Sequence, residues 1–327
     1  MAPGTKPTSG DEMEPLTERR AKPRTTSFVL VLVAVIVGLL TLAKLFIEFD
    51  PLYDYDSKCG GYTVKTESIR ETSRGLEAEL YLSGEGCQFY SPDVPRLRLL
   101  VEHETDTRLH VVIQDLEQKR YQVPDDILPR PSADPDTDLS DSDLAFQFSG
   151  EYSPFSFRVL RKSTGEVLFD TSGTGLVFER QFLRLKTWLP RNPNIYGLGE
   201  HTDTFRLPTR DYKRTFWARD AGGVPYRSNL YSSHPVYVDH RLSGTHGVFL
   251  VNSNGMDILL GEDNGRGQNY LEYRAIGGIF DFYFLSGPSP TDVSRQYGEI
   301  VGRPAMIPYW SLGVRIGPMI RFRIRFG

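Results

Sequence analysis

The chain has 327 residues, enough for two ordinary domains or one large domain with appendages. Hydrophobic residues make up 39% and charged residues 24%, so there is material for a core. With a formal net charge of −4, no overall positive field gathers nucleic acid, and no nucleic-acid partner is expected.

Residues 1–27 are polar, rich in Pro and Thr and mixed in charge, which predicts a disordered tail. The run Phe28–Ala43 carries no charge, and Leu45-Phe46-Ile47 prolongs it past Lys44. Residues 28–47 are thus long enough, at about 1.5 Å per residue, to span a hydrocarbon layer of roughly 30 Å. Arg19, Arg20, Lys22 and Arg24 precede the run, while Glu48, Asp50, Asp54 and Asp56 follow it. That asymmetry predicts a signal anchor in a single-pass membrane protein, with the amino terminus cytosolic and the bulk of the chain lumenal or extracellular. A cleaved signal peptide fits the long leader and Thr41-Leu42-Ala43 poorly, and nothing amphipathic marks a buried core helix. Cys59 and Cys87 are the only cysteines. Beyond an anchor they would close a disulfide loop of about 28 residues, worth roughly 3 kcal/mol; the alternative is two buried thiols. Neither has a third Cys or nearby His to complete a metal site.

Past the anchor the apolar period becomes two. Leu76, Ala78, Leu80 and Leu82 alternate with polar residues, as do Leu97, Leu99, Val101 and then Leu109, Val111, Ile113. Phe146/Phe148, Phe157/Val159 and Leu183/Leu185 continue the pattern, which predicts half-buried antiparallel strands. An aromatic share of 12% suits such pleated faces. Ser163-Thr164-Gly165-Glu166 reads as a hairpin turn. Pro124–Asp143 is rich in Pro, Asp and Ser and predicts a mobile surface loop without the spacing of a calcium site.

Thr245–Leu250 and Met256–Leu260 read as strands joined by the turn-rich Asn252-Ser253-Asn254-Gly255, and Ile279–Leu285 as a buried strand. One soluble helix is well punctuated. It has Ser289 as cap, Pro290 at its start, Val293, Tyr297, Ile300 and Val301 on one face, and Gly302 and Pro304 at its end. The fold class predicted is mainly β, a large sandwich over residues 48–304 preceded by one transmembrane helix.

From Cys59 to Gly313 the chain resembles the front half of family 31 glycoside hydrolases, especially fungal α-glucosidases. The words that carry the resemblance are PNIYGLGEHTDTFRLP (193–208), TFWARD (215–220), NLYSSHPVY (229–237), GTHGVFLVNSNGMDILL (244–260), IGGIFDFYFLSGPSP (276–290) and GRPAMIPYWSLG (302–313). The resemblance implies a galactose-mutarotase-like sandwich that packs on a catalytic (β/α)8 barrel and lends a loop to its mouth. In relatives the intact protein takes an α-glucoside or oligosaccharide, with no cofactor or metal.

By position, Arg219 and Asp220 match the family residues at the barrel mouth, where the Asp receives a pair of sugar hydroxyls. An ionised carboxylate accepts two such hydrogens through charge-assisted bonds. Trp217 and Tyr231 stand nearby as candidates to stack on a sugar's apolar face. Glu200, His201 and Asp203 group like an acid/base set but lie in a word that resembles a packing segment, so a supporting role is expected. His234 and His240 lack the convergence of a zinc pair. Gly261–Gly267 lacks the strand–helix frame of a phosphate cradle.

One departure limits what the resemblance implies. Hydrolysis in the family uses two carboxylates flanking the scissile bond, about 5–5.5 Å apart when the configuration is retained. The nucleophile lies in a Trp-x-Asp-Met-x-Glu word, which none of Trp188, Trp217 and Trp310 begins. Tyr309–Gly313 resembles the first barrel strand, yet only 14 residues follow Gly313, whereas a barrel takes about 200–250. Residues 305–327 therefore read as the start of a truncated barrel with an Arg-rich atypical tail. No catalytic residue is assigned, and the chain alone is expected to be inactive. The alternative is a non-catalytic, membrane-tethered carbohydrate-binding or regulatory module.

Overall fold

The computed structural model describes residues 25–48, 61–133, 142–219 and 222–312, with side chains in the first segment described from Leu30 to Thr41. The chain divides into two units, Met1–Tyr55 and Asp56–Gly327.

In the first unit, helix α1 (Thr25–Glu48) covers the stretch expected at 28–47. Leu30, Val31, Leu32 and Val33 are all exposed, and four consecutive residues point to every side of a helix. The described side chains, Leu30–Thr41, cover about 18 Å of rise. Among the described residues no helix is long and apolar enough to cross a membrane, so the expected span is met as a helix only. The tail expected at 1–27 lies outside the described residues except for its last three.

The second unit is built of strands. In chain order these are β1 (Tyr62–Val64), β2 (Arg70–Thr72), β3 (Gly75–Leu82), β4 (Arg96–Thr105), β5 (Arg108–Asp115), β6 (Leu144–Phe148), β7 (Phe157–Arg161) and β8 (Glu166–Asp170). There follow β9 (Val177–Phe178), β10 (Leu183–Leu189), β11 (Ile195–Gly197), β12 (Tyr212–Phe216), β13 (Val236–Arg241), β14 (Gly244–Leu250), β15 (Met256–Asp263), β16 (Gln268–Ala275) and β17 (Phe280–Leu285). A nine-stranded sheet has the order β1-β3-β4-β5-β17-β14-β13-β11, with β2 also on β3. A five-stranded sheet runs β12-β15-β16-β10-β9, and a three-stranded one β6-β7-β8. The pairings between these strands are antiparallel, as the alternation requires.

The inward residues form one core. Leu97, Leu99 and Val101 of β4 and Leu109, Val111 and Ile113 of β5 are buried, as are Leu271, Tyr273 and Ala275 of β16. Phe282 of β17 meets Tyr273 edge-on at 5.3 Å between ring centres, which joins the two larger sheets. Phe169 of β8 packs on Phe282 and Phe284 at 5.7 and 5.1 Å, which brings in the third.

Every residue of β17 is buried, because its outer face is also covered. Tyr283 and Leu285 pack there with Val293 and Ile300 of helix α2 (Pro290–Val301). A capping box fixes the helix start, with Asp292 N–H donating to Ser289 Oγ and Ser289 N–H to Asp292 Oδ2, both at 3.2 Å. Gly302 ends it at φ +84°, a conformation that favours glycine.

Asn252–Gly255 connects the strands as expected, carrying the chain from β14 in the nine-stranded sheet to β15 in the five-stranded one. Two expectations change. The loop expected at 124–143 is anchored in its first part, where Leu128 packs beside α2 and Arg130 Nε lies 3.4 Å from Asp281 Oδ2; residues 134–141 lie outside the described residues. Tyr309–Leu312 forms a short 3-10 turn rather than a first barrel strand. A strand needs a hydrogen-bonded neighbour, and residues 302–312 are exposed throughout. The remaining tail, 313–327, lies outside the described residues.

Candidate functional site

Strand β12 feeds the loop singled out by the sequence. Its pattern is strictly alternating: Tyr212, Arg214 and Phe216 are buried, while Lys213 and Thr215 are exposed. The chain leaves the sheet at Trp217, which is 60% exposed. A Cβ placed on Gly255 would come within 3.8 Å of Trp217 Cε3 and 3.3 Å of Ile276 Cδ1, so the indole rests over that glycine. Arg219 is exposed; its backbone N–H donates to Leu230 O at 3.4 Å and its Nη2 to Ser228 Oγ at 3.1 Å. Asp220 lies outside the described residues.

Tyr231, 58% exposed, lines a groove of about 830 Å³ whose walls include Leu128, Phe249, Tyr297 and Val301. Trp217 lines a neighbouring depression of about 230 Å³ with Asn254 and Ile276. Ala218, Ser233 and Ser253 line both, so the two aromatic rings flank a shared seam. Such a seam offers flat apolar faces beside hydroxyl groups, the chemistry a sugar ring requires.

The Glu200–His201–Asp203 group is structural. Glu200 Oε2 accepts from Ser232 N–H and Oγ, both at 3.2 Å, and His201 Nε2 lies 3.2 Å from Gly197 O. The Asp203 side chain has no exposed surface. Its Oδ2 accepts from Tyr212 OH at 2.9 Å and from Arg214 Nη2 at 3.0 Å. Its Oδ1 accepts from Thr204 N–H at 2.7 Å and from Tyr226 OH and Arg227 Nε, both at 3.4 Å. Burial opposes ionisation, but these bonds outweigh it and hold the carboxyl below the usual range.

Two further buried charge clusters escaped the sequence reading. On the outer face of the nine-stranded sheet, His110 Nδ1 lies 3.0 Å from Glu104 Oε1 and Nε2 lies 2.6 Å from Asp281 Oδ1. The imidazole stacks on Tyr283 at 4.1 Å. Burial alone would lower its pKa; hydrogen bonds to Asp281 and Glu104 prevail and raise it to about 9. Glu104 sits where the register of β4 on β5 shifts, and it also accepts from Arg108 Nε at 2.8 Å. On the five-stranded sheet, Glu272 accepts from Arg184 Nη2 at 2.9 Å and Arg274 Nε at 2.5 Å, with Lys186 Nζ at 3.5 Å. Burial disfavours its ionised form, yet the Arg184, Arg274 and Lys186 charges bring its pKa down to about 2.

Sequence parity alone could have exposed Arg214, since it shares the inward register of Tyr212 and Phe216. His234 donates its backbone N–H to Gly199 O at 2.7 Å, whereas His240 Nδ1 pairs with Thr245 Oγ1, also at 2.7 Å. Among the described residues no group of three His, Cys, Asp or Glu side chains is placed to hold a metal ion. The Cys59–Cys87 pairing falls partly on Cys59, outside the described residues. Cys87 is half-buried in a loop whose backbone N–H groups at 87 and 88 donate to Asp93 Oδ2, at 2.9 and 3.0 Å. Glu179 holds the next turn through Phe89, Tyr90 and Ser91 N–H.

Residues 87–258 match the glycosyl hydrolase 31 N-terminal galactose mutarotase-like domain, more than half of the chain. The chain belongs to this family. It is 51% identical over 259 residues to a probable alpha/beta-glucosidase of Arthroderma benhamiae, covering 79% of this chain and 30% of that protein. Against a probable alpha/beta-glucosidase of Aspergillus flavus it is 53% identical over 258 residues, 79% of this chain and 28% of the relative. The chain thus spans less than a third of the curated relatives it matches. The glucosidase II alpha subunit, solved with Glc1Man2 bound, shares the fold with a TM-score of 0.59 at 15% identity, over 76% of this chain and 35% of that one. In this family-31 domain the word TFWARD takes in the last two residues of β12 and the exposed Trp217–Arg219 that follow, while its final residue, Asp220, lies outside the described residues.

Proposed function

We propose that this chain is the amino-terminal part of an α-glucosidase-type hydrolase that cleaves terminal α-linked glucose from an α-glucoside or oligosaccharide. Its sandwich supplies one wall of the sugar site. The observation that carries this reading is the placement of Trp217 and Tyr231, exposed on either side of the Ala218–Ser233–Ser253 seam at the head of the loop. Arg219 and Asp220 contribute polar contacts to the sugar hydroxyls, and the hydrolytic carboxylates lie outside these 327 residues, which contain no Trp-x-Asp-Met-x-Glu word. Maltose titrated into the full chain in a mild detergent tests the reading: tryptophan fluorescence should change saturably while no glucose is released. Glucose release above a blank by these residues alone would contradict the assignment of the carboxylates elsewhere. An unchanged spectrum would remove the sugar wall.

The same reading makes α1 a signal anchor over residues 28–47, with the amino terminus cytosolic. Its support is the uncharged run, the basic flank before it and the apolar side chains exposed on all sides. Alkaline extraction should leave the chain in the membrane pellet, and a tag at the amino terminus should be digested by protease added to sealed microsomes. Release into the supernatant, or protection of the tag, sinks the anchor.

A membrane-tethered binding module is the second reading, favoured by the same missing word. Saturable stabilisation by maltose, in cells that make no longer form of the protein, supports it.

A further inference from the structure

The loop from β12 to β13 is tied at both limbs to one carboxylate, and we propose that Asp203 is its positioning residue, setting Trp217 and Arg219 without touching the ligand. The functional half of this inference rests on the sugar-facing reading above.

On the outgoing limb, Asp203 Oδ2 takes Tyr212 OH and Arg214 Nη2, both on β12, and these two side chains also bond to each other. On the returning limb, Oδ1 takes Tyr226 OH and Arg227 Nε. Backbone bonds reinforce the same closure. Arg227 N–H donates to Thr202 O, and Thr202 Oγ1 donates to Pro225 O, each at 2.9 Å. Farther along, Arg219 is stitched to Ser228 and Leu230. Arg214 is buried in the core, so the staple is moored to the sandwich and not to the surface.

The chemistry demands a carboxylate. Four side-chain donors from two limbs converge on two oxygens, and an amide in that place offers one oxygen and turns an NH2 toward donors. The arginine of the limb that faces the NH2 then loses its acceptor, since a guanidinium only donates. Since the Asp203 side chain has no exposed surface, its effect on a ligand is transmitted through the loop.

The test uses the full chain in a mild detergent, as wild type, Asp203→Asn and Arg227→Gln. Arg227 is half-exposed, so its variant loosens the returning limb while leaving the core intact. Hydrogen exchange of amides 222–230 should quicken in both variants, by a few-fold in Arg227→Gln, the scale of a lost exposed charge pair, and by more in Asp203→Asn. In Arg227→Gln, exchange in β10 and β16 should not change. The maltose-dependent shift of the Trp217 indole N–H should need a few-fold more sugar in Arg227→Gln, and more still in Asp203→Asn. Unchanged loop exchange in both variants overturns the proposal, as does quickening in Arg227→Gln that is equal in the loop and in β16. If maltose fails to move the wild-type indole, the sugar reading falls while loop exchange still decides the positioning role.

Discussion

His110 Nε2 lies 2.6 Å from Asp281 Oδ1, which links β5 to β17 on the face covered by α2. The other ring nitrogen faces Glu104, and Arg108, already bonded to Glu104, reaches Glu299 of α2 at 3.2 Å. Sheet and helix are therefore joined by alternating charges as well as by apolar contact.

The pH dependence of this joint has a definite sign. The folded His110 pKa is raised from 6.5 to about 9, so its stabilisation is complete below about 6.5 and is lost as pH rises through about 9. The size is on the order of 3 kcal/mol. Urea melts of wild type between pH 6 and 10 should show falling stability over that window, and His110→Gln should flatten it. A parallel pair of curves would refute the assignment.

Glu272 has the opposite sign. Its folded pKa is lowered from 4.5 to about 2, so its contribution is present above about 4.5 and lost as pH falls toward 2. Glu272→Gln removes the carboxylate shared by Arg184, Lys186 and Arg274 and should cost about 3 kcal/mol at pH 7, less at pH 3. Thermal melts at the two pH values measure the difference; equal losses would count against the linkage.

Phe282 stands at the contact of the two larger sheets, with no exposed surface. Phe282→Ala should cost about 3–5 kcal/mol through lost burial and a cavity, read as a lower urea midpoint. A loss below about 1 kcal/mol would mean that the neighbouring rings close the gap.

The loop bearing Cys87 is pinned by backbone N–H bonds to Asp93 and Glu179, and Cys59 is the only other cysteine of the chain. Non-reducing peptide mapping of chain recovered from a secretory host should find Cys59 joined to Cys87. A reductant should lower stability by roughly 3 kcal/mol. Two alkylated thiols in the unreduced protein would dispose of the bridge.

Local pattern was legible where burial is one-sided or complete. Leu97-x-Leu99-x-Val101 marks β4 because one face alone is dry, and Ile279–Leu285 reads as buried because β17 has cover on both sides. Helix α2 was legible through its ends, Ser289, Pro290 and Gly302. Partner choice was not legible: Leu250 and Met256 stand six positions apart yet belong to different sheets, and no short-range signal encodes that crossing. Buried charges were hidden for a different reason. Alternation assigns Arg184, Lys186 and Glu272 to solvent by type, whereas their mutual pairing keeps them dry. At the candidate site, Trp217 and Tyr231 are exposed beside one seam and Arg219 is exposed two residues on from Trp217, but the role of Asp203 depends on Tyr226 and Arg227, more than twenty residues away in sequence.

The order of the nine-stranded sheet also constrains biosynthesis. Strand β17 is inserted between β5 and β14, so the sheet's earliest-made strands wait for residues 280–285 before they gain their inner neighbour. Until the ribosome delivers that segment, the edge of β5 that β17 will occupy has no strand partner, and nascent chains are exposed there to chaperones and to one another.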